Sequence, residues 1–142
     1  MYIGFQHLHS YLAYFALAAL VAAIGYAAFS WLSNKPFTKA SKILAITGLV
    51  SAHIQLVVGF LLYFLSPRGF ANLSGDAMGD TISRLYVLEH PLTMLIAIVL
   101  ITVGHSTAKR QTEDKQKHKR IVVFYSLGLF LILLRIPWYI WP

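Results

Sequence analysis

With 142 residues, 58% hydrophobic and only 12% charged, the chain is too poor in charge for a soluble domain. It has no cysteine, which excludes disulfides, thiolate metal centres and thiol nucleophiles within it. The net charge of +7 sits mostly in two connectors between apolar runs, not on a polar surface interleaved with stacking aromatics, so nucleic acid is not an expected partner.

Four apolar runs predict an all-α integral membrane protein folded as one domain over residues 1–142. The first helix is expected over about 3–32. It lacks a basic leader region and a small-residue cleavage site, so it reads as a mature helix and not a signal peptide. Asn34, Lys35 and Pro36 then make a tight turn into a second helix over about 42–65. A longer loop rich in Gly, Ser, Asn and Asp runs from Ser66 to Asp80. The third helix is expected over about 83–106, and a Lys-rich connector leads to the fourth, over about 120–140. Each run is close to the roughly 20 residues that cross about 30 Å of hydrocarbon. None alternates as a barrel strand would, and short connections favour an antiparallel up-down four-helix transmembrane bundle.

Charge sets the expected orientation. Lys35, Lys39 and Lys42 lie in the first connector, and Lys109, Arg110, Lys115, Lys117, Lys119 and Arg120 in the third. The second holds Arg68 and Arg84 beside Asp76 and Asp80. Basic residues collect on the cytoplasmic side, so both termini are expected outside, with Trp138, Tyr139 and Trp141 as an interfacial belt. A bacterial inner membrane is the expected location.

An ionisable residue inside a membrane run is a candidate functional site. His7 and His9 enter with the first helix, His90 with the third, and Arg135 closes the fourth, so these share one outer-leaflet layer. His7 and His9 point to nearly opposite faces, and either is a candidate ligand. Below His9, at helical spacing, come Ala13, Ala16, Leu20, Ala23 and Ala27, a small-residue stripe that suits close helix packing or a flat cofactor. Imidazoles from diagonal helices, one from the first helix and His90 from the third, can supply both axial ligands of a haem iron. Arg135, with Arg84 reaching in from the loop, would meet the haem carboxylates. Pro91 after His90 predicts a kink, and Glu89 is expected about 100° away from His90 around the helix. His105 lies fifteen positions after His90 at the other end of the same helix, with no evident partner for a second haem, and reads as a helix-end cation. His53 lies near mid-membrane. An internal hydrogen bond, a proton relay and a quinone pocket are all open to it.

The segment Gln6-His7-Leu8-His9-Ser10, the run Ile54-Gln55-Leu56-Val57-Val58-Gly59, the outer loop and His90 together resemble one four-helix half-module of heme A synthase over about residues 6–110. There is also similarity to small cytochrome B-like membrane proteins. The first resemblance implies haem ligation by His9 and His90 and a place for Gln55 at the cofactor. The acidic residue that family carries three positions before its ligand is Gln6 here, and the family has two half-modules where this chain has one. The expected function is therefore haem b binding for electron transfer near the outer surface, as part of a respiratory assembly. Quinol or a periplasmic cytochrome would be the redox partner and membrane lipid the surroundings. The alternatives are a cofactor-free accessory or assembly subunit, and a haem-modifying enzyme.

Overall fold

The computed structural model describes residues 1–141, and every regular element among them is helical. α1 covers Tyr2–Leu32 and α2 covers Lys39–Leu65. A 3-10 turn at Phe70–Asn72 and a short α3 at Gly75–Gly79 organise the loop after α2. α4 (Thr81–Arg84), a π-helical turn (Leu85–Glu89) and α5 (His90–Arg110) form one continuous rod, and α6 covers Asp114–Arg135. Three helices are long and apolar enough to cross a membrane: Tyr2–Leu32, Lys39–Leu65 and Thr81–Arg110, with mean hydropathies of 2.1, 1.9 and 1.9.

The fourth long helix departs from the expected 120–140. It starts at Asp114, whose carboxylate in the first turn complements the helix dipole, and the Lys, Gln and Arg residues behind it are good helix formers. It stops at Arg135, because Pro137 drives Ile136 into an extended conformation with ψ 137°. The uncharged stretch from Ile121 to Leu134 spans only about 21 Å at 1.5 Å per residue. Length and composition therefore do not make α6 a full span.

Local chemistry explains the turn between α1 and α2. Asn34 takes φ 52°, a left-handed conformation that its short polar side chain tolerates. Thr38 and Ser41 then form a reciprocal capping box that starts α2 a full turn before the apolar run.

The main helix contacts run from α1 to α2, α5 to α6, α1 to α6 and α2 to α5, so each long helix has two principal neighbours. Small residues set how close they come. A Cβ on Gly128 would lie 2.6 Å from Ile101 and 2.9 Å from the Ala97 carbonyl oxygen, and one on Gly104 would collide with Phe124. The α5–α6 pair is thus a close backbone approach. The His9 stripe is a packing face: Ala16, Leu20, Ala23 and Ala27 are all buried. All but Ala16 join Ala45, Ala52, Ile98, Ile101, Ile121 and Tyr125 in one core. Tyr125 is fully buried, and its hydroxyl donates to the Ala45 carbonyl of α2 at 2.7 Å.

The ends of the helices are sorted by charge. The end formed by the 33–38 turn and the 111–113 connector gathers nine of the twelve basic residues and only two of the five acidic ones. His118 lies here too. It occupies the second turn of α6, fully buried, with its ring 5.2 Å from that of Phe37 and Nε2 3.2 Å from the Lys35 carbonyl oxygen.

Candidate functional site: a histidine pair beside Arg135

Pro91 is the origin of the site's geometry. It has no N–H to offer the carbonyl four residues earlier, which belongs to Val87. The rod answers with the π turn Leu85–Glu89, and the Val87 carbonyl instead accepts a 2.8 Å hydrogen bond from the Tyr63 hydroxyl of α2. Such turns recur at functional sites because they re-aim the residues beside them. Here the turn re-aims Glu89 and His90.

His90 lies next to His9. The ring centroids are 6.2 Å apart and the planes cross at 87°. His90 Nδ1 is 2.8 Å from the backbone carbonyl oxygen of Arg135. A carbonyl only accepts, so Nδ1 carries the proton and the Nε2 lone pair is free, the usual arrangement of a metal-binding imidazole. His9 has a buried Nδ1 with no hydrogen-bond partner. Its ring occupies the notch left by Gly59, where a Cβ would lie 3.1 Å from His9 Cε1. Gln55 braces the same turn, its Nε2 donating to the His9 carbonyl at 2.8 Å. Gln55 therefore holds the backbone under His9 and leaves its own buried Oε1 unpartnered.

Ion pairs border this layer. Glu89 is held by two arginines. Its Oε1 accepts from Arg84 Nε at 2.8 Å and its Oε2 lies 3.5 Å from Arg135 Nε. The π turn adds a residue to the helical turn and swings Glu89 between the two guanidiniums. Arg84 Nη1 also donates to the Met78 carbonyl at 2.9 Å, tying in the loop. The cluster of two cations and one carboxylate keeps one net positive charge.

The remaining sequence candidates lie elsewhere. His7 is exposed and stacked on Tyr11, away from the pair. His53 is exposed on the side of α2 that meets α5, with Thr102 beside it. His105 is half-buried near the opposite end of α5. Sequence reasoning missed Glu89, Tyr63 and the notch function of Gly59. Pro91 was the available signal for the first two, since any proline inside a helix frees the carbonyl four residues back.

Among the described residues no group of three or more His, Asp or Glu could hold a metal ion. A haem iron needs only two axial ligands from protein. His90 Nε2 and His9 Nδ1 are imidazole nitrogens without a hydrogen-bond partner on neighbouring rings, a donor set of the kind a haem iron would take. Comparison with known proteins adds no relative: the chain matches no family model, no curated protein and no solved structure.

Proposed function

We propose that this chain is a haem b-binding membrane protein that carries electrons near the outer surface of a bacterial inner membrane, as a subunit of a larger respiratory assembly. In this reading the four long helices form an up-down bundle with both termini outside. The sorting of charge to the opposite end, and the arrangement of α1, α2, α5 and α6 as successive neighbours, support that topology. The observation that carries the proposal is the His9–His90 pair at 6.2 Å, with one ring fixed by a backbone carbonyl and the other set into a glycine notch.

His9 and His90 would hold the haem iron. The Arg135 carbonyl selects the His90 tautomer, and Gly59 and Gln55 set the position of His9. Arg84 and Arg135 would face the carboxylates, in exchange with Glu89. Bound haem would supply one-electron chemistry, while the chain fixes ligand geometry and the surrounding electrostatics. A haem-modifying reaction fits less well: Gln6 replaces the acid of the heme A synthase pattern, and Glu89 is held between two guanidiniums.

Protein purified from haem-replete cells is expected to show reduced-minus-oxidised bands of a bis-histidine haem b. His9→Ala and His90→Ala should each abolish them while the helical content is kept. Wild-type protein free of haem under those conditions would refute the proposal. The second reading, a cofactor-free accessory subunit, is favoured by one feature: Glu89 already compensates the arginines internally. It predicts that the two alanine variants lose assembly with partner subunits and show no change in visible absorption.

A further inference from the structure

The basic end of the bundle carries nine cationic side chains and few anions to meet them. Its carboxylates are Glu113 and Asp114, at the start of α6, and both ion pairs among the described residues lie at the other end, on Glu89. Two of the nine ammoniums rest on aromatic rings: Lys35 Nζ is 5.1 Å from the Phe29 centroid and Lys117 Nζ is 5.4 Å from that of Phe37. Phe29 is exposed in the last turn of α1, so in a membrane its ring meets lipid. Lys35 bends back onto that ring and marks the level where hydrocarbon gives way to headgroups.

Lys42 and Lys109 are brought together by the seam between α2 and α5. His53 and Thr102 meet across that seam. Lys42 is eleven residues before His53 and Lys109 seven after Thr102. At about 100° per residue each returns to within about 20° of the seam-facing direction. His105, half-buried on α5 one turn before Lys109, lies within Coulombic reach of both ammoniums. Three groups from two helices thus converge: two exposed ammoniums and an imidazole, which has an N–H to donate whether neutral or charged. No acidic residue stands in the first turn of α2, and the last turn of α5 holds Lys109 and Arg110. Like charges brought this close repel, and an anion between them turns the repulsion into attraction.

We infer that this corner binds an anionic phospholipid, its phosphate held by Lys42 and Lys109 with the His105 N–H as a donor. Basic pockets between membrane helices at headgroup level take anionic headgroups for this electrostatic reason. A lipid is favoured over a free phosphate by the surface beneath the cations. Ile43 and Val50 of α2 and Val99 and Val103 of α5 are exposed there, so acyl chains have an apolar wall to lie against. The site is at the opposite end of the bundle from the histidine pair and does not depend on haem.

The test uses the whole protein, delipidated in neutral detergent, with bound molecules counted by native mass spectrometry. The probes are dioleoyl phosphatidylglycerol, dioleoyl phosphatidylcholine, which has no net charge, and glycerophosphate, which has the phosphate without the chains. Saturable binding of about one phosphatidylglycerol per chain is expected, with phosphatidylcholine weaker by about tenfold or more and glycerophosphate weaker still. Each ammonium contributes about fivefold, so Lys42→Gln together with Lys109→Gln should weaken binding by about 25-fold. Lys42→Arg with Lys109→Arg keeps both charges and should hold the affinity within about threefold. Lys115→Gln with Lys119→Gln removes the same charge from the exposed side of α6 and should change it by no more than about twofold. His105→Leu leaves every lysine in place and should weaken binding by about fivefold or more. Equal affinity for phosphatidylglycerol and phosphatidylcholine overturns the inference, and glycerophosphate bound as tightly as the lipid assigns the site to a soluble anion. Equal weakening in the two glutamine pairs also overturns it, because the effect would then belong to the diffuse charge of this end. Should the Lys42 and Lys109 glutamine pair fail to fold, wild-type affinity in His105→Leu is the overturning result.

Discussion

The hydrogen bond from Tyr63 to Val87 gives a sharp test of how the histidine site is built. Tyr63→Phe removes one hydroxyl and keeps the ring that packs on Phe64 and Phe70 at centroid distances of 5.5 and 6.3 Å. The Val87 carbonyl then has no donor, since Pro91 cannot supply the helical N–H. Val87 is almost fully buried, so water is a poor substitute. Leaving such an acceptor unmet costs about 1–3 kcal/mol, and interhelical bonds in membranes fall toward the lower end, so a loss of about 1–2 kcal/mol is expected. The informative measurement is a double-mutant cycle with Pro91→Ala, followed by reversible unfolding in mixed micelles. Alanine at 91 restores an N–H that can reach the Val87 carbonyl. Tyr63→Phe should therefore cost clearly less in the Pro91→Ala background, with a coupling of about 1 kcal/mol. Equal costs in the two backgrounds would refute the claim that Tyr63 substitutes for the donor that proline removes.

Two further outcomes follow from the same contacts. Gly128→Leu puts a side chain where Ile101 and the Ala97 carbonyl already stand, and should separate α5 from α6 at a cost of roughly 1–3 kcal/mol or more, seen as a lower unfolding midpoint in detergent. Asp80 caps α4, accepting from the Ser83 amide at 2.9 Å, and its hydrogen bonds to Ser83 hold its carboxyl below the usual value of 3.8. The folded carboxyl is the stronger acid, so its contribution is complete above the unfolded value and is lost as pH falls through the lower folded one. Exchange protection of the Ser83 amide should accordingly be full at about pH 5, begin to fall below the ordinary carboxyl value of 3.8, and disappear only at the lower pH where the folded carboxyl protonates. Asp80→Asn should remove that pH dependence, and a protection profile unchanged by the substitution would show that the cap does not control the turn.

Membrane character was legible in the sequence, because long apolar runs with few charges admit helices and little else when backbone groups lack water. The basic connectors were legible in the same way, and the structure brings them to one end. Helix ends were read less well. Apolar content marks where a helix meets hydrocarbon, but caps and prolines decide where it starts and stops, as Thr38, Asp114 and Pro137 do here. The fourth run illustrates this: five of its expected residues lie beyond the end of α6, and α6 begins six residues before it.

For the site, the sequence by itself determined which residue types stand at which depth: His9, His90 and Arg135 toward one end, His53 in the middle, and the lysines at the other end. Depth follows from position along a helix of fixed rise, so it needs no tertiary information. Direction does not follow, because it depends on which face each helix turns inward and on local changes of pitch. Only the tertiary structure decided that His9 and His90 meet at 6.2 Å while His7 faces out. It also decided that His53 leans across the α2–α5 seam toward Thr102. The clearest case is Glu89. Helical spacing says nothing of its partners, and only the packed structure, with a π turn before Pro91 and a tyrosine from another helix on the Val87 carbonyl, shows it between Arg84 and Arg135.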